Sequence, residues 1–320
     1  MSNRRAVFLD LSPLDQGDLD LKPLHSAFTE LVCYEQTSES QIIDRLEGAQ
    51  VAIVNKVALS ADVLAACPEL KLILVAATGV NNIDLEAAKK RGIAVCNCQA
   101  YGTATVAQHT IMLLLALATR LPDYQGAVAR SRWQESGQFC LLDFPIVELA
   151  GKTLGVLGHG ELGSAVAKLA EALGMRVVTG NLPGRPPRED RLELDELLPQ
   201  VDALTLHCPL NEQTRNLIGA RELQLMKSSA FIINTARGGL IDEQALADTL
   251  RRGHLGGAAT DVLTSEPPSN DNPLLAADVP RLIVTPHSAW GSREARQRIV
   301  GQLCENAEAF FAGTPKRQVG

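Results

Sequence analysis

No stretch of this chain is apolar for long enough to cross a membrane. The longest such run, Ile111–Ala118, is well short of a span, and Gln108 and His109 lie just before it. A secretory signal is missing too: Met1-Ser2-Asn3-Arg4-Arg5 is basic, but Ala6–Leu9 is too short for its apolar core and Asp10 ends it. There is no basic excess. The net charge is −7 and the pI about 5.5, which argues against nucleic acid as a main partner, and no block of like charge reads as an interaction tail. The seven cysteines (Cys33, Cys67, Cys96, Cys98, Cys140, Cys208, Cys304) are odd in number and scattered through apolar segments. They read as small buried hydrophobes in a reducing, cytoplasmic compartment. Cys96 and Cys98 would share one face of a strand, but no second cysteine pair or histidine cluster completes a zinc set, so no metal site is expected.

What the chain does have is alternation. Its 320 residues, 46% hydrophobic, suffice for about two domains with cores of their own. Short β-rich runs at Ala6–Leu9, Val51–Val54, Leu72–Ala76 and Ile93–Cys96 are separated by helical patterns at Ser60–Ala66 and Asp84–Arg91. Thr103–Arg120 follows, a helix apolar on most faces and expected to be buried. After Gly151 the alternation restarts, with strands predicted at Thr153–Leu157, Arg176–Thr179, Ala203–His207, Ala230–Asn234, Gly257–Leu263 and Leu282–Thr285. Helices are predicted at Glu161–Leu173, Leu194–Leu198, Asp242–Arg252 and Ser292–Phe311. This is the pattern of an α/β protein with two parallel-sheet domains, Rossmann-like or flavodoxin-like, and a cleft between them. The last helix has no strand of its own to cross to. It is expected to return to the first domain, giving residues 1–101 with 290–320 as a discontinuous substrate domain and 102–289 as a dinucleotide-binding domain.

Gly158-His159-Gly160-Glu161-Leu162-Gly163 is the most informative motif, because it directly follows a predicted strand and opens a predicted helix. In that context the first glycine permits a tight turn, the second lets the backbone approach a pyrophosphate and the third lets helix pack on strand. A glycine-rich turn without a ligand is the bland alternative.

Ligands of open parallel sheets bind beyond the carboxyl ends of the strands. Three reactive side chains stand just there: Arg237, Glu266 and His287. A guanidinium fork pairs with a carboxylate and polarises the neighbouring carbonyl. An imidazole can move the hydroxyl proton, and a carboxylate beside it fixes the ring. Taken singly, Arg237 reads equally well as a turn residue, Glu266 better as a solvated loop acid, and His287 equally well as a satisfied histidine. Together, on three successive strand ends, they read as a hydride-transfer site for a hydroxy acid. Lys56, after Val51–Val54, is a cation suited to an anionic substrate; an ordinary surface lysine is its other reading.

These segments resemble the D-isomer-specific 2-hydroxyacid dehydrogenases over nearly the whole chain. The resemblance rests on Ala77-Thr78-Gly79-Val80-Asn81-Asn82-Ile83-Asp84, Thr105-Val106-Ala107-Gln108-His109-Thr110, Leu149–Gly155, His207-Cys208-Pro209-Leu210 with Thr214, Ile233–Gly239 and Thr285-Pro286-His287. It implies catalytic roles for Arg237, Glu266 and His287, and a substrate carboxylate held by Arg237 and backbone N–H groups at Thr78 and Gly79. The Ala-Thr-Gly segment and the Asn55-Lys56 pair point to the glycerate dehydrogenase/hydroxypyruvate reductase branch. With the glycine turn, the cofactor contacts expected are Thr105, Gly158, Gly160, Glu161, Leu162, Gly163, Asn181, Arg185, His207, Cys208, Pro209, Thr214, Thr235, Ala236 and Asp261. The resemblance also implies a homodimer through Thr103–Arg120 and Arg130–Leu149. Gln108 replaces a usual glutamate, with little catalytic consequence expected. The acidic residue expected roughly 20 positions beyond the glycines is absent: Asn181 stands there, with Arg185 and Arg188 nearby. NAD and NADP therefore both remain open as cofactor.

Two other functions share these motifs. A phosphoglycerate dehydrogenase would add a regulatory domain, for which the chain leaves no room after its last helix. A dinucleotide-sensing corepressor-like protein can retain the same three residues, but the chain lacks long disordered extensions.

Overall fold

The structure, a computed structural model, describes residues 4–320. It consists of two compact units, one formed by the chain up to Gly102 together with Trp290–Gly320, the other by Thr103–Ala289.

In the first unit five parallel strands, β1 (Arg5–Phe8), β2 (Glu30–Cys33), β3 (Val51–Val54), β4 (Leu72–Val75) and β5 (Ala94–Cys96), lie in the order β2-β1-β3-β4-β5. β3 and β4 are buried at every residue, which is why they read as unbroken apolar runs rather than as alternation. Phe8, Ile53 and Leu74 face one layer, where Ile299, Val300 and Leu303 of the helix Arg293–Phe311 pack on them. Leu9, Val54 and Val75 face the opposite layer, with Ile42, Leu46 and Leu64. β2 has no counterpart in the sequence reading. It is a half-exposed edge strand, Glu-Leu-Val-Cys, so burial imposes no apolar run on it.

The second unit carries six parallel strands: β6 (Thr153–Leu157), β7 (Arg176–Gly180), β8 (Ala203–Leu206), β9 (Phe231–Asn234), β10 (Gly257–Thr260) and β11 (Leu282–Val284). Their order is β11-β10-β9-β8-β6-β7. β8, β10 and β11 stop short of the predicted ends, because the chain leaves the ladder to form the loops described below. The helix Thr103–Ala118 lays Ile111, Leu114 and Leu117 on Leu154, Val156, Phe231 and Ile233. Two further helices, Leu121–Ala129 and Arg132–Ser136, follow it. Their few buried residues give no apolar periodicity to read. Among the described residues no single helix is long and apolar enough to cross a membrane. Helix starts follow the side-chain signals of the sequence. Ser60, Asp84, Asp242 and Ser292 each accept a hydrogen bond from the backbone N–H three residues on, each cap contributing about 1 kcal/mol.

Candidate active site

In the second unit the strand order reverses between β6 and β8, and the glycine-rich turn sits at the carboxyl end of β6. Gly158 has φ +97, and a Cβ there would stand 2.5 Å from the His207 carbonyl carbon and 2.6 Å from the Cys208 nitrogen. A Cβ on Gly163 would stand 2.2 Å from the Gly158 oxygen, so this glycine lets the helix Glu161–Ala172 lie against the turn. Gly160, the N-cap, differs: among the described residues a Cβ there meets no atom within 4 Å. Two glycines are thus needed by the fold, and the third faces open space at a positive helix end, which suits a pyrophosphate. Thr103 Oγ1 donates to Glu161 Oε1 (2.5 Å) at the same helix start.

His207 borders this crevice. Its Nε2 bonds Thr205 Oγ1 (2.9 Å), its Nδ1 is buried without a partner among the described residues, and burial pushes the imidazole down to about 4, so it is neutral at physiological pH. This leaves one polar atom beside the glycine turn unpaired among the described residues, a costly arrangement for a buried ring nitrogen.

Several other predicted cofactor residues turn their side chains inward. Cys208 is in the core, its thiol pushed up to about 11 by burial. Thr214 Oγ1 donates to the Pro209 carbonyl (2.7 Å), Thr235 Oγ1 meets Thr110 Oγ1 (2.8 Å), and Thr105 Oγ1 donates to the Ala289 carbonyl (3.1 Å). What these residues can offer a cofactor is backbone and shape. At the end of β7, Asn181 is not the free neutral side chain that the sequence suggests. Its Nδ2 donates to Glu193 Oε1 (2.7 Å) and its Oδ1 accepts from the Arg188 N–H (3.1 Å). Arg188 is itself paired with Asp190 through two bonds of 2.9 and 3.0 Å.

Arg237, Glu266 and His287 follow β9, β10 and β11, three neighbouring strands. Asn234 clamps the first loop: its Nδ2 donates to the Arg237 carbonyl (2.9 Å) and its Oδ1 accepts from the Ala236 N–H (3.0 Å). Gly238 packs so closely that a Cβ would stand 2.0 Å from the Leu263 oxygen, which joins the arginine's loop to the one that carries Glu266. Glu266 Oε1 accepts from the Leu263 N–H (2.9 Å) and its Oε2 lies 2.5 Å from His287 Nδ1. Both side chains are about one-third exposed, at 34% and 33%. His287 Nε2 has no protein partner among the described residues and remains for a ligand.

His287 takes a left-handed backbone, φ +51, a conformation that costs about 1–3 kcal/mol in a non-glycine residue. Asp261 holds it there. The His287 N–H donates to the Asp261 carbonyl (2.8 Å). The buried Asp261 carboxylate accepts from Thr285 Oγ1 (2.5 Å) and from the N–H groups of Ser288 (3.0 Å) and Ala289 (2.9 Å). His109 Nε2 joins through Thr285 Oγ1 at 3.0 Å. Asp261 therefore shapes the histidine loop rather than pointing a free carboxylate at a cofactor.

In the first unit, Lys56, Thr78 and Gly79 lie just beyond the carboxyl ends of β3 and β4. Sequence reasoning missed what organises them. Asp10, buried after β1, accepts from the N–H groups of Asn55 (2.7 Å), Lys56 (2.6 Å) and Val57 (2.9 Å). Asn97 Nδ2 donates to the Thr78 carbonyl (2.7 Å) and Asn82 Nδ2 to the Val57 carbonyl (2.9 Å). The available signal was an acid directly after a buried strand, read only as the end of an apolar run.

Comparison with known proteins agrees with this geometry. Residues 111–289 match the model of the D-isomer specific 2-hydroxyacid dehydrogenase NAD binding domain. The chain is 46% identical over 317 residues to a glycerate dehydrogenase of Methylorubrum extorquens, covering 99% of each. It is 38% identical over 318 residues to a hydroxypyruvate reductase of Blautia hydrogenotrophica, covering 97% of this chain and 98% of that one. A solved structure from Thermus thermophilus superposes with a TM-score of 0.85 at 33% identity, over 99% of this chain and 100% of the other. The glycine turn, the three strand-end residues and these matches agree: the chain belongs to the D-isomer specific 2-hydroxyacid dehydrogenase family.

Proposed function

We propose that this protein reduces a short anionic 2-keto acid, hydroxypyruvate or glyoxylate, to the D-2-hydroxy acid with NADH or NADPH. The carrying observation is the Glu266–His287 pair at 2.5 Å on neighbouring strand ends, beside the loop of Arg237. The relatives named glycerate dehydrogenase and hydroxypyruvate reductase support the substrate class.

A bound reduced nicotinamide supplies the hydride. Gly158, Gly160, Glu161, Leu162 and Gly163 are assigned to its pyrophosphate, and His207 and Asn181 to the adenosine half. His287 donates a proton from Nε2 to the substrate's carbonyl oxygen as the carbonyl carbon is reduced. Glu266, bonded to Nδ1, fixes the ring and offsets its positive charge, then stabilises it less as the proton departs. Arg237 pairs with the substrate carboxylate and polarises the adjacent carbonyl. To the first unit we assign further carboxylate-binding groups: Lys56, and the N–H groups of Thr78 and Gly79, which donate to no protein acceptor among the described residues.

We also infer a homodimer and a cytoplasmic location. Exposed large apolar side chains concentrate on one segment, with Phe139 92%, Leu142 77%, Ile146 55%, Leu121 49% and Trp133 48% exposed. Such a patch marks a protein–protein contact. All seven cysteines are free, as a reducing compartment requires. The test is oxidation of NADH and NADPH followed by absorbance across a panel of 2-keto acids. Turnover with hydroxypyruvate and glyoxylate supports the reading, and cofactor binding without oxidation of any kind contradicts it.

A further inference from the structure

The missing acid at the end of β7 has a replacement elsewhere in the chain. We infer that Glu193, carried by Asn181, is the carboxylate that selects NAD(H) over NADP(H). This rests on the dinucleotide reading of the second unit.

In an open parallel sheet of this kind the residue just after the strand beside the glycine turn meets the adenosine ribose, and a carboxylate there binds the ribose hydroxyls and repels a 2′-phosphate. Asn181 occupies that position but spends both ends of its amide within the protein, on Glu193 and on the Arg188 N–H. The backbone fixes the arrangement. The Asn181 N–H donates to the Leu192 carbonyl (2.8 Å) and the Leu192 N–H to the Thr179 carbonyl (3.0 Å), so the segment leading into Glu193 runs alongside the end of β7 as an extra parallel bridge. Glu193 Oε1 takes the amide of Asn181, and Oε2 has no protein partner among the described residues. A free carboxylate oxygen at the edge of the ribose position is what a 2′-hydroxyl can donate to.

Of the cations nearby, Arg188 is already neutralised. Arg188 is held by Asp190 through two bonds, and that pairing lowers the Asp190 carboxyl below its usual range, so both groups stay charged and mutually neutralised. Arg185 and Arg191 form no salt bridge with any described residue, but neither is on Asn181; Glu193 is. A 2′-phosphate would bring its charge next to a carboxylate whose position is fixed, and fixed like charges repel more than mobile ones.

The experiment is fluorescence titration of the full-length protein with NADH and with NADPH, in wild type and in Glu193→Gln, at low and at moderate ionic strength. Wild type should bind NADH at least roughly tenfold more tightly than NADPH, and Glu193→Gln should erase most of that ratio by improving NADPH. The discrimination should shrink as salt rises, which loss of a merely structural hydrogen bond would not cause. A ratio unchanged by Glu193→Gln, or NADPH binding more tightly than NADH in wild type, overturns the assignment. Binding of neither cofactor overturns the dinucleotide reading itself, an outcome distinct from an unchanged ratio.

Discussion

The two sheets of this protein share one strand order and treat its reversal point in opposite ways. Counted from its own first strand, the second sheet repeats the 2-1-3-4-5 order of the first and adds a sixth strand. In both, the first strand lies between the second and the third, which is where open parallel sheets form a crevice. The second unit puts glycines there, and a Cβ on Gly160 would meet no atom of the described residues within 4 Å. The first unit puts Asp10 there, and its carboxylate takes the three N–H groups of Asn55, Lys56 and Val57 that an external anion would otherwise meet. One crevice is left for an anionic ligand and the other is closed with an anion of its own. Topology provides the place, and the residue after the first strand decides its use.

Substitutions can break that contrast. Gly163→Val forces a side chain into the Gly158 carbonyl and should destabilise the protein by about 3 kcal/mol or more, read from denaturant midpoints. Gly160→Val should leave the midpoint within about 1 kcal/mol while weakening dinucleotide binding at least roughly tenfold, because it fills the open crevice. If both variants lost stability alike, the turn would be purely structural.

Acid tests the second crevice differently from the first. His207 has a folded value of about 4 against an ordinary 6.5, so the unfolded chain binds its proton first. The stability it contributes is complete above pH 6.5 and is lost as pH falls towards 4, about 3 kcal/mol in all. His207→Phe should flatten that part of the stability–pH curve. Burial moves Asp10 the other way, above the usual carboxylate range, so its protonation adds no penalty to the folded state across the same interval. Asp10→Asn replaces one of the two acceptor oxygens with a donor, so at least one of the three N–H groups loses its acceptor and faces an NH2 instead, which should cost about 2 kcal/mol, visible in the midpoint. Where Asn55–Val57 shifts as a result, KM for the keto acid should rise more than kcat falls. Unchanged stability would mean that the carboxylate closes nothing.

Much of this is legible in the sequence. Buried parallel strands write themselves as apolar runs, and βα turns as glycines, so the buried strands of both sheets and the glycine turn follow from the chain. Glu266 and His287 announce themselves by their place after strands, and the structure brings them to hydrogen-bonding distance. What stayed hidden depends on partners that no local pattern marks. Asp10 needs Asn55–Val57, Asn181 needs Glu193, and the backbone of His287 needs the buried Asp261. The edge strand β2 and the exposed helices after Ala118 stayed hidden for the complementary reason: little burial, hence little pattern.

The proton carried by His287 is the claim on which the functional account stands. It is tested most directly by steady-state turnover of hydroxypyruvate with saturating reduced cofactor in wild type and His287→Gln, with cofactor affinity measured on the same samples. The account predicts retained affinity and a fall in kcat of roughly a hundredfold or more. Turnover close to wild type in the variant would contradict it.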